Sequence, residues 1–366
     1  MGSADVKLNK IRSLLESENL DAVLLTIQPN YSWLSDGGRG HVSVASEGSA
    51  AWFFVTDSDV FLITDNIEAQ RIQDEELNIS GVKVKIHPWY DDDKKDKIIQ
   101  DLCRDKKVGC DSAIDGMENI SGKIAELRYT LTPEEVVRYK ELGKHCGEAI
   151  GKVCKMIKPG MSEFEIAGIM SSELYSRSIN PIVLLIAVDE RVSLYRHPLP
   201  TDKKVNEYGM IVVCGRKYGL IASVTRLFHF GPLSDELKKK HQAAVEVDTA
   251  FIAESRPGAI TGEILAASQK VYADNGYPDE WTFHHQGGPA GYGARDYRAI
   301  PGLTSKLVKS QAVAWNPSIK GTKSEDTIIT TDDKPEIITS TPDWPMISVS
   351  YKDETWKRPD ILILDK

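Results

Sequence analysis

The run Leu131-Thr132-Pro133-Glu134-Glu135 constrains the fold of this chain more than any other feature. A threonine can cap a helix, proline suits the first helical position, and a glutamate three residues after the cap completes a capping box. A long helix is therefore predicted from Pro133 to about Ile157, ended by Lys158-Pro159-Gly160. The patterns on the two sides differ, so the 366 residues divide into a domain at 1–130 and a second at 131–366.

In the first part, strand-like and helix-like segments alternate. Val6, Leu8, Ile11, Leu14 and Leu15 form a helical stripe. Residues 21–26, 50–56, 59–64, 82–88 and 107–110 read as strands, and 65–76, 93–104 and 115–128 as helices. Alternation of this kind predicts an α/β domain. In the second part, Ser162 and Glu165 form another capping box, for a helix to about Ser176. Strands follow at 182–188 and 209–215, with a hairpin partner near 220–230. Helices fit 235–255 and 261–275, and strands fit 281–285, 311–316, 325–330 and 335–339. Paired helices with strands on short turns predict an α+β domain with a largely antiparallel sheet.

Composition removes several function classes. The 45 Lys+Arg against 54 Asp+Glu give a net charge of −9, without a basic stripe, which argues against a nucleic-acid or anionic-membrane partner. No apolar run approaches the roughly 18 residues of a membrane span. The N-terminus has no apolar signal region, so a cytoplasmic location is expected. The five cysteines, an odd number without C-x-x-C spacing, exclude a disulfide framework and a zinc knuckle. Cys146, Ile150 and Cys154 recur every fourth residue on one helix face and read as core.

Three stretches carry residues unusual for structure alone: Asn30–His41, Arg191–Pro198 and Phe283–Asp296. The first is similar to an Asn-x-x-Tyr/Trp-Leu-x-Gly turn. Val224-Thr225-Arg226 is similar to the end of an Asp-x-Thr-Arg region, and the third stretch to a His-Gly-x-x-His glycine-rich strand. Trp315-Asn316-Pro317 is similar to a Glu-Pro-Gly turn, and Ser324-Glu325-Asp326-Thr327 to a terminal Glu-Asp-Thr. In this order and spacing, they make the chain resemble the pita-bread superfamily of methionine aminopeptidase, aminopeptidase P, prolidase and creatinase. The resemblance spans nearly the whole chain. It implies a creatinase-like N-terminal domain before a pita-bread domain.

The departures are as informative as the matches. Peptidases of that family hold two divalent metals with Asp, Asp, His, Glu and Glu. The matching positions here are Val212, Ser223, Gly288, Asn316 and Glu325, and only the last keeps its carboxylate. A shift of register does not restore the set, because residues 208–234 contain no Asp or Glu. Dinuclear sites need several anionic oxygens, so no metal and no other cofactor is expected. His284, His285, His229, Cys214 and Glu325 remain as ligand types. Adjacent histidines on a strand, however, point to opposite faces, so His284 and His285 are not expected to share an ion.

Without a metal to make hydroxide, a positioned base supplies about 10²–10⁴-fold. That suits a substrate with some activation of its own. The resemblance to creatinase implies His197 as that base, with His284 and Glu325 as catalytic partners. Arg295, His285, Tyr292 and Arg226 become substrate contacts. Arg39 and His41 follow from the way the N-terminal domain of creatinase-like homodimers reaches the partner's pocket. The expectation is a homodimeric, metal-independent hydrolase that breaks a C–N bond in a small nitrogen-containing metabolite. The alternatives are a non-catalytic binding module and an Xaa-Pro-type metallo-aminopeptidase with a rebuilt metal site.

Overall fold

In the computed structural model, residues 2–365 are described. The chain forms two compact units, Met1–Glu134 with Tyr218–Leu220, and Glu135–Lys217 with Ile221–Lys366. The division falls within the first turn of the long helix, four residues beyond the expected boundary.

The first unit contains α1 (Ser3–Glu18), β1 (Ala22–Ile27), α2 (Gln28–Leu34), β2 (Gly48–Thr56) and β3 (Val60–Asp65). It continues through α3 (Ala69–Glu75), β4 (Lys83–His87), α4 (Asp92–Cys103), β5 (Val108–Cys110), β6 (Glu118–Asn119) and α5 (Ser121–Glu126). The strands form one mixed sheet in the order β4-β3-β2-β1-β5-β6. The predicted stripe on α1 buries Leu8, Ile11, Leu14 and Leu15. The predicted helix at 115–128 is shorter than expected, because β6 occupies its start.

The second unit begins with α6 (Pro133–Met156) and α7 (Glu163–Tyr175). Pro133 starts α6 as predicted, and Cys146, Ile150 and Cys154 are buried along it. The Ser162–Glu165 capping box forms at α7. Then come β7 (Asn180–Val188), α8 (Glu190–Leu194), β8 (Tyr208–Lys217), β9 (Leu220–Phe230), α9 (Asp235–Glu254) and α10 (Thr261–Asp274). The short closing strands are β10 (Gly287–Ala290), β11 (Ala312–Trp315), β12 (Ser318–Ile319), β13 (Thr322–Lys323), β14 (Asp326–Ile329) and β15 (Glu336–Ile337). The C-terminal strands β16 (Met346–Tyr351), β17 (Glu354–Pro359) and β18 (Leu362–Leu364) have no counterpart in the predicted elements. Two four-stranded sheets result, ordered β18-β9-β8-β7 and β10-β11-β14-β15.

Tyr218 and Gly219 both have positive φ, 57° and 76°. Positive φ at both central residues is the geometry that joins twisted antiparallel strands in two residues, and it sets β8 beside β9. Apolar side chains of α9, α10 and the short strands form one core, in which Phe251 stacks on Trp315 at 4.5 Å. All five cysteines are free thiols. Among the described residues, no helix is long and apolar enough to cross a membrane.

Candidate active site

A cavity of about 330 Å³ lies within the second unit, and His197, His285, Arg295, Lys323 and Glu325 are in its wall. His197 stands on the loop between β7 and β8. Asp189 anchors the ends of that loop, accepting from the backbone N–H groups of Asn206, Glu207 and Tyr208 at 2.9–3.0 Å. Glu163, fully buried at the start of α7, accepts from Val188 N, Thr201 N and Arg191 Nε at 2.8–2.9 Å. These carboxylates explain how an exposed loop holds an imidazole in place.

The expected strand at 281–285 is not formed. A 3₁₀ turn covers Glu280–Phe283, and the strand begins only at Gly287. Side-chain alternation therefore does not apply at His284 and His285, and both rings lie beside His197. The ring centroids of His197 are 4.9 Å from His284 and 5.8 Å from His285, and those two are 4.7 Å apart. This corrects the expectation that the adjacent histidines diverge. The Nε2 atoms of His284 and His197 are 3.1 Å apart, and His284 Nδ1 is 3.3 Å from Ser318 Oγ. Arg196, also paired with Glu280, donates to Ser318 Oγ at 3.0 Å.

The opposite wall is ionic. Lys323 Nζ is 2.7 Å from Glu325 Oε2, Thr225 Oγ1 donates to the same oxygen at 2.6 Å, and Arg295 Nη2 is 3.4 Å from Glu325 Oε1. Burial opposes ionisation of Glu325, but Lys323 and Arg295 outweigh it and hold the carboxyl below its usual range. The histidines shift the other way. Burial, helped by Lys323, lowers His197 and, most strongly, His284. Burial and Arg295 lower His285 to about 4. All three imidazoles are thus neutral near pH 7. Burial raises the Cys214 thiol, which lies 3.2 Å from Ser223 Oγ, so it is not a thiolate nucleophile.

Sequence reasoning missed Arg298 in this wall and Ser318 behind it, and it weighed Lys323 only as an ion-pair partner of Glu325 in place of a catalytic role for that carboxylate, the pairing that is present. Spacing contained a signal for Lys323: two residues before Glu325 in extended chain places both side chains on one face.

Other predicted residues lie elsewhere. Arg226 is buried in the scaffold, donating to Asp326 Oδ1 at 2.9 Å, Thr339 O at 3.0 Å and Thr341 Oγ1 at 2.8 Å. Tyr292 is buried with its hydroxyl on Glu135 Oε1 at 2.6 Å. Neither is in the cavity wall, which corrects their reading as substrate contacts. His229, in β9, has Nδ1 3.0 Å from Gly231 O and is not in the wall. In the first unit, Arg39 pairs with Glu75 at 2.8 Å and is more than half exposed, and His41 is half-buried.

The positions that match the paired-metal ligands do not fit two divalent cations. Val212 offers no donor, Asn316 offers an uncharged amide oxygen, and Ser223 a hydroxyl. Gly288 has φ +148°, and a Cβ there would lie 2.5 Å from the carbonyl oxygen of Tyr297, so no side chain fits. Glu325 is already neutralised by Lys323.

An α/β domain ahead of two four-stranded sheets and paired helices, with a histidine-lined cavity, defines a two-domain pita-bread protein. The model of metallopeptidase family M24 matches residues 137–332, and that of the creatinase/prolidase N-terminal domain matches 7–145. The chain belongs to metallopeptidase family M24. It is 22% identical to an uncharacterized peptidase of Staphylococcus epidermidis, over 91% of this chain and 98% of that protein. An Xaa-Pro dipeptidase from Bacillus anthracis superposes with a TM-score of 0.78 at 19% identity, covering 99% and 100% of the two chains. The dipeptidase PepE from Mycobacterium ulcerans gives 0.80 at 14% identity, covering 100% and 98%. At these identities the likeness to solved structures is one of fold.

Proposed function

We propose that this family M24 chain is a metal-independent hydrolase that breaks a C–N bond in a small nitrogen-containing metabolite. The observation that carries the reading is the Lys323–Glu325 pair. The one carboxylate retained from the family's ligand set is spent on a lysine of the same chain. His197 serves as general base. It lines the cavity and is neutral near pH 7, as a base must be.

In this role His197 donates its Nε2–H to His284 Nε2 and keeps its Nδ1 lone pair for a water proton. His284 then carries its own proton on Nδ1 and donates it to Ser318 Oγ. The hydroxide attacks the carbon of the C–N bond, and the departing nitrogen takes the proton back from His197. Lys323 and Arg295 offer N–H donors to the oxygen on which negative charge develops. The protein acts as a homodimer in the cytoplasm. An untargeted metabolite screen comparing wild type with His197→Ala tests the reading. Depletion of one compound by wild type alone is expected. Equal depletion by both overturns it.

One observation favours a second reading, a metallo-hydrolase with a rebuilt site. His197, His284 and His285 each offer a ring nitrogen, and these atoms all lie within 4.8 Å of one another. Three neutral imidazoles with an open position are a catalytic-zinc donor set. The neighbouring cations Lys323, Arg295 and Arg298 oppose it. Elemental analysis of protein purified without chelator separates the two. A stoichiometric transition metal selects the second reading.

A further inference from the structure

The sign of the charge in the cavity limits what can enter it. Lys323, Arg295 and Arg298 each bring a positive charge to the wall. Glu325 is the one carboxylate there among the described residues, and its oxygens are engaged by Lys323, Thr225 and Arg295. The wall histidines are uncharged near pH 7 and do not alter the count. Two positive charges are therefore left over.

Arg298 is in no hydrogen bond or ion pair within the described residues, although a guanidinium carries five N–H donors. Arg295 Nε and His285 Nδ1 are buried without partners, and so is the acceptor Asn316 Oδ1. The wall thus combines unassigned donors on two arginines with one unassigned amide oxygen.

We infer that the cavity binds a small N-blocked carboxylate: a compound with an acid group and a neutral N–H, as in an N-acyl or ureido acid, and without an ammonium group. The carboxylate meets Arg298 and Arg295, whose planar forks match it. The neutral N–H reaches Asn316 Oδ1. A free α-ammonium finds no unspent carboxylate and is repelled by the two excess cations. The volume, about 330 Å³, is at the small end for ligand sites and suits a molecule of amino-acid to dipeptide size. The inference rests on the reading of this cavity as a small-molecule site, but it specifies binding rather than turnover.

The test is isothermal titration of the full chain with three probes of similar size. N-acetylglycine is an anion with an N–H, N-acetylglycinamide is its neutral counterpart, and glycylglycine carries a free ammonium. N-acetylglycine is expected to bind at least about tenfold more tightly than either other probe. Arg298→Gln is expected to weaken it about tenfold without changing the melting temperature, because Arg298 supports no other group. Glycylglycine binding as tightly, no binding of N-acetylglycine, or an unchanged affinity in Arg298→Gln overturns the inference. Binding of N-acetylglycine by a chain that hydrolyses no metabolite leaves it standing while the hydrolase reading fails.

Discussion

Lys323 Nζ lies 2.7 Å from Glu325 Oε2, with 4% and 2% of the two side chains exposed. The residues are two apart in extended chain where β13 leads into β14, so both side chains point the same way. A carboxylate buried this deeply needs a compensating positive charge. Here the compensating charge is covalently part of the chain.

Lys323→Met should therefore destabilise the protein by about 3 kcal/mol, because breaking a buried pair strands the other charge. Thr225 and Arg295 still reach Glu325, which keeps the loss at the lower end of the range for such pairs. Lys323→Met combined with Glu325→Gln should recover part of it, since Glu325 is then no longer a buried charge without its lysine, while Arg295 loses its carboxylate partner. Chemical denaturation of the two variants measures this. A double variant no more stable than Lys323→Met rejects the assignment.

Ser318 should matter to rate rather than to binding. Its hydroxyl oxygen is 3.3 Å from His284 Nδ1, and Arg196 fixes it from behind at 3.0 Å. In the proposed mechanism it accepts from His284 and so selects the tautomer that leaves His197 free to take a proton. Ser318→Ala should lower kcat about tenfold, or ~1.4 kcal/mol of barrier, with KM nearly unchanged. Ser318→Thr should restore part of the rate. A change confined to KM would place Ser318 in substrate binding instead.

Acid should weaken the second unit in a defined window. His197, His284 and His285 all have pKa values lowered from an ordinary 6.5, with His285 at about 4. Above pH 6.5 both folded and unfolded chains hold these rings neutral, and stability is at its full level. Below 6.5 the unfolded chain binds protons that the folded one does not, so stability is lost as pH falls toward 4. The melting temperature should decline over this range. His285→Gln should flatten the decline.

Local rules account for most of what the sequence revealed. The α6 start, the α7 capping box and the stripe on α1 depend on neighbouring residues, and each formed where predicted. The strand at 281–285 did not. Its apolar and aromatic residues read as extended, but they form a 3₁₀ turn that opens on Glu280, the partner of Arg196. That one difference aims two adjacent histidines at the same space. The C-terminal strands were missed for the opposite reason. Lys357 and Arg358 interrupt their apolar pattern, and Arg358 is buried only because Asp248 and Asp326 receive it at 2.5 and 2.7 Å. His197, His284, His285, Arg295 and Glu325 were legible because motif spacing identified them. Lys323 was legible only as a neighbour able to pair with Glu325, and Arg298 belonged to no motif and emerged from the fold.

The two arginines at 226 and 295 should behave in opposite ways. Arg226 was expected at the substrate, yet it is 1% exposed and holds strands together through Asp326, Thr339 and Thr341. Arg226→Met removes five hydrogen bonds, to these groups, to Thr225 O and to Glu325 O. Asp326 keeps Arg358, so it is not left wholly unpaired, and the cost should be about 3 kcal/mol of stability. N-acetylglycine affinity of the folded fraction should change little. Arg295→Met touches only the cavity wall, Ser223 and the carbonyl of Ala294. It should cost little stability and weaken N-acetylglycine about tenfold. Melting curves and titrations on both variants give four numbers. If Arg226→Met lost affinity and kept its stability, the sequence-based assignment of Arg226 to the substrate would be reinstated.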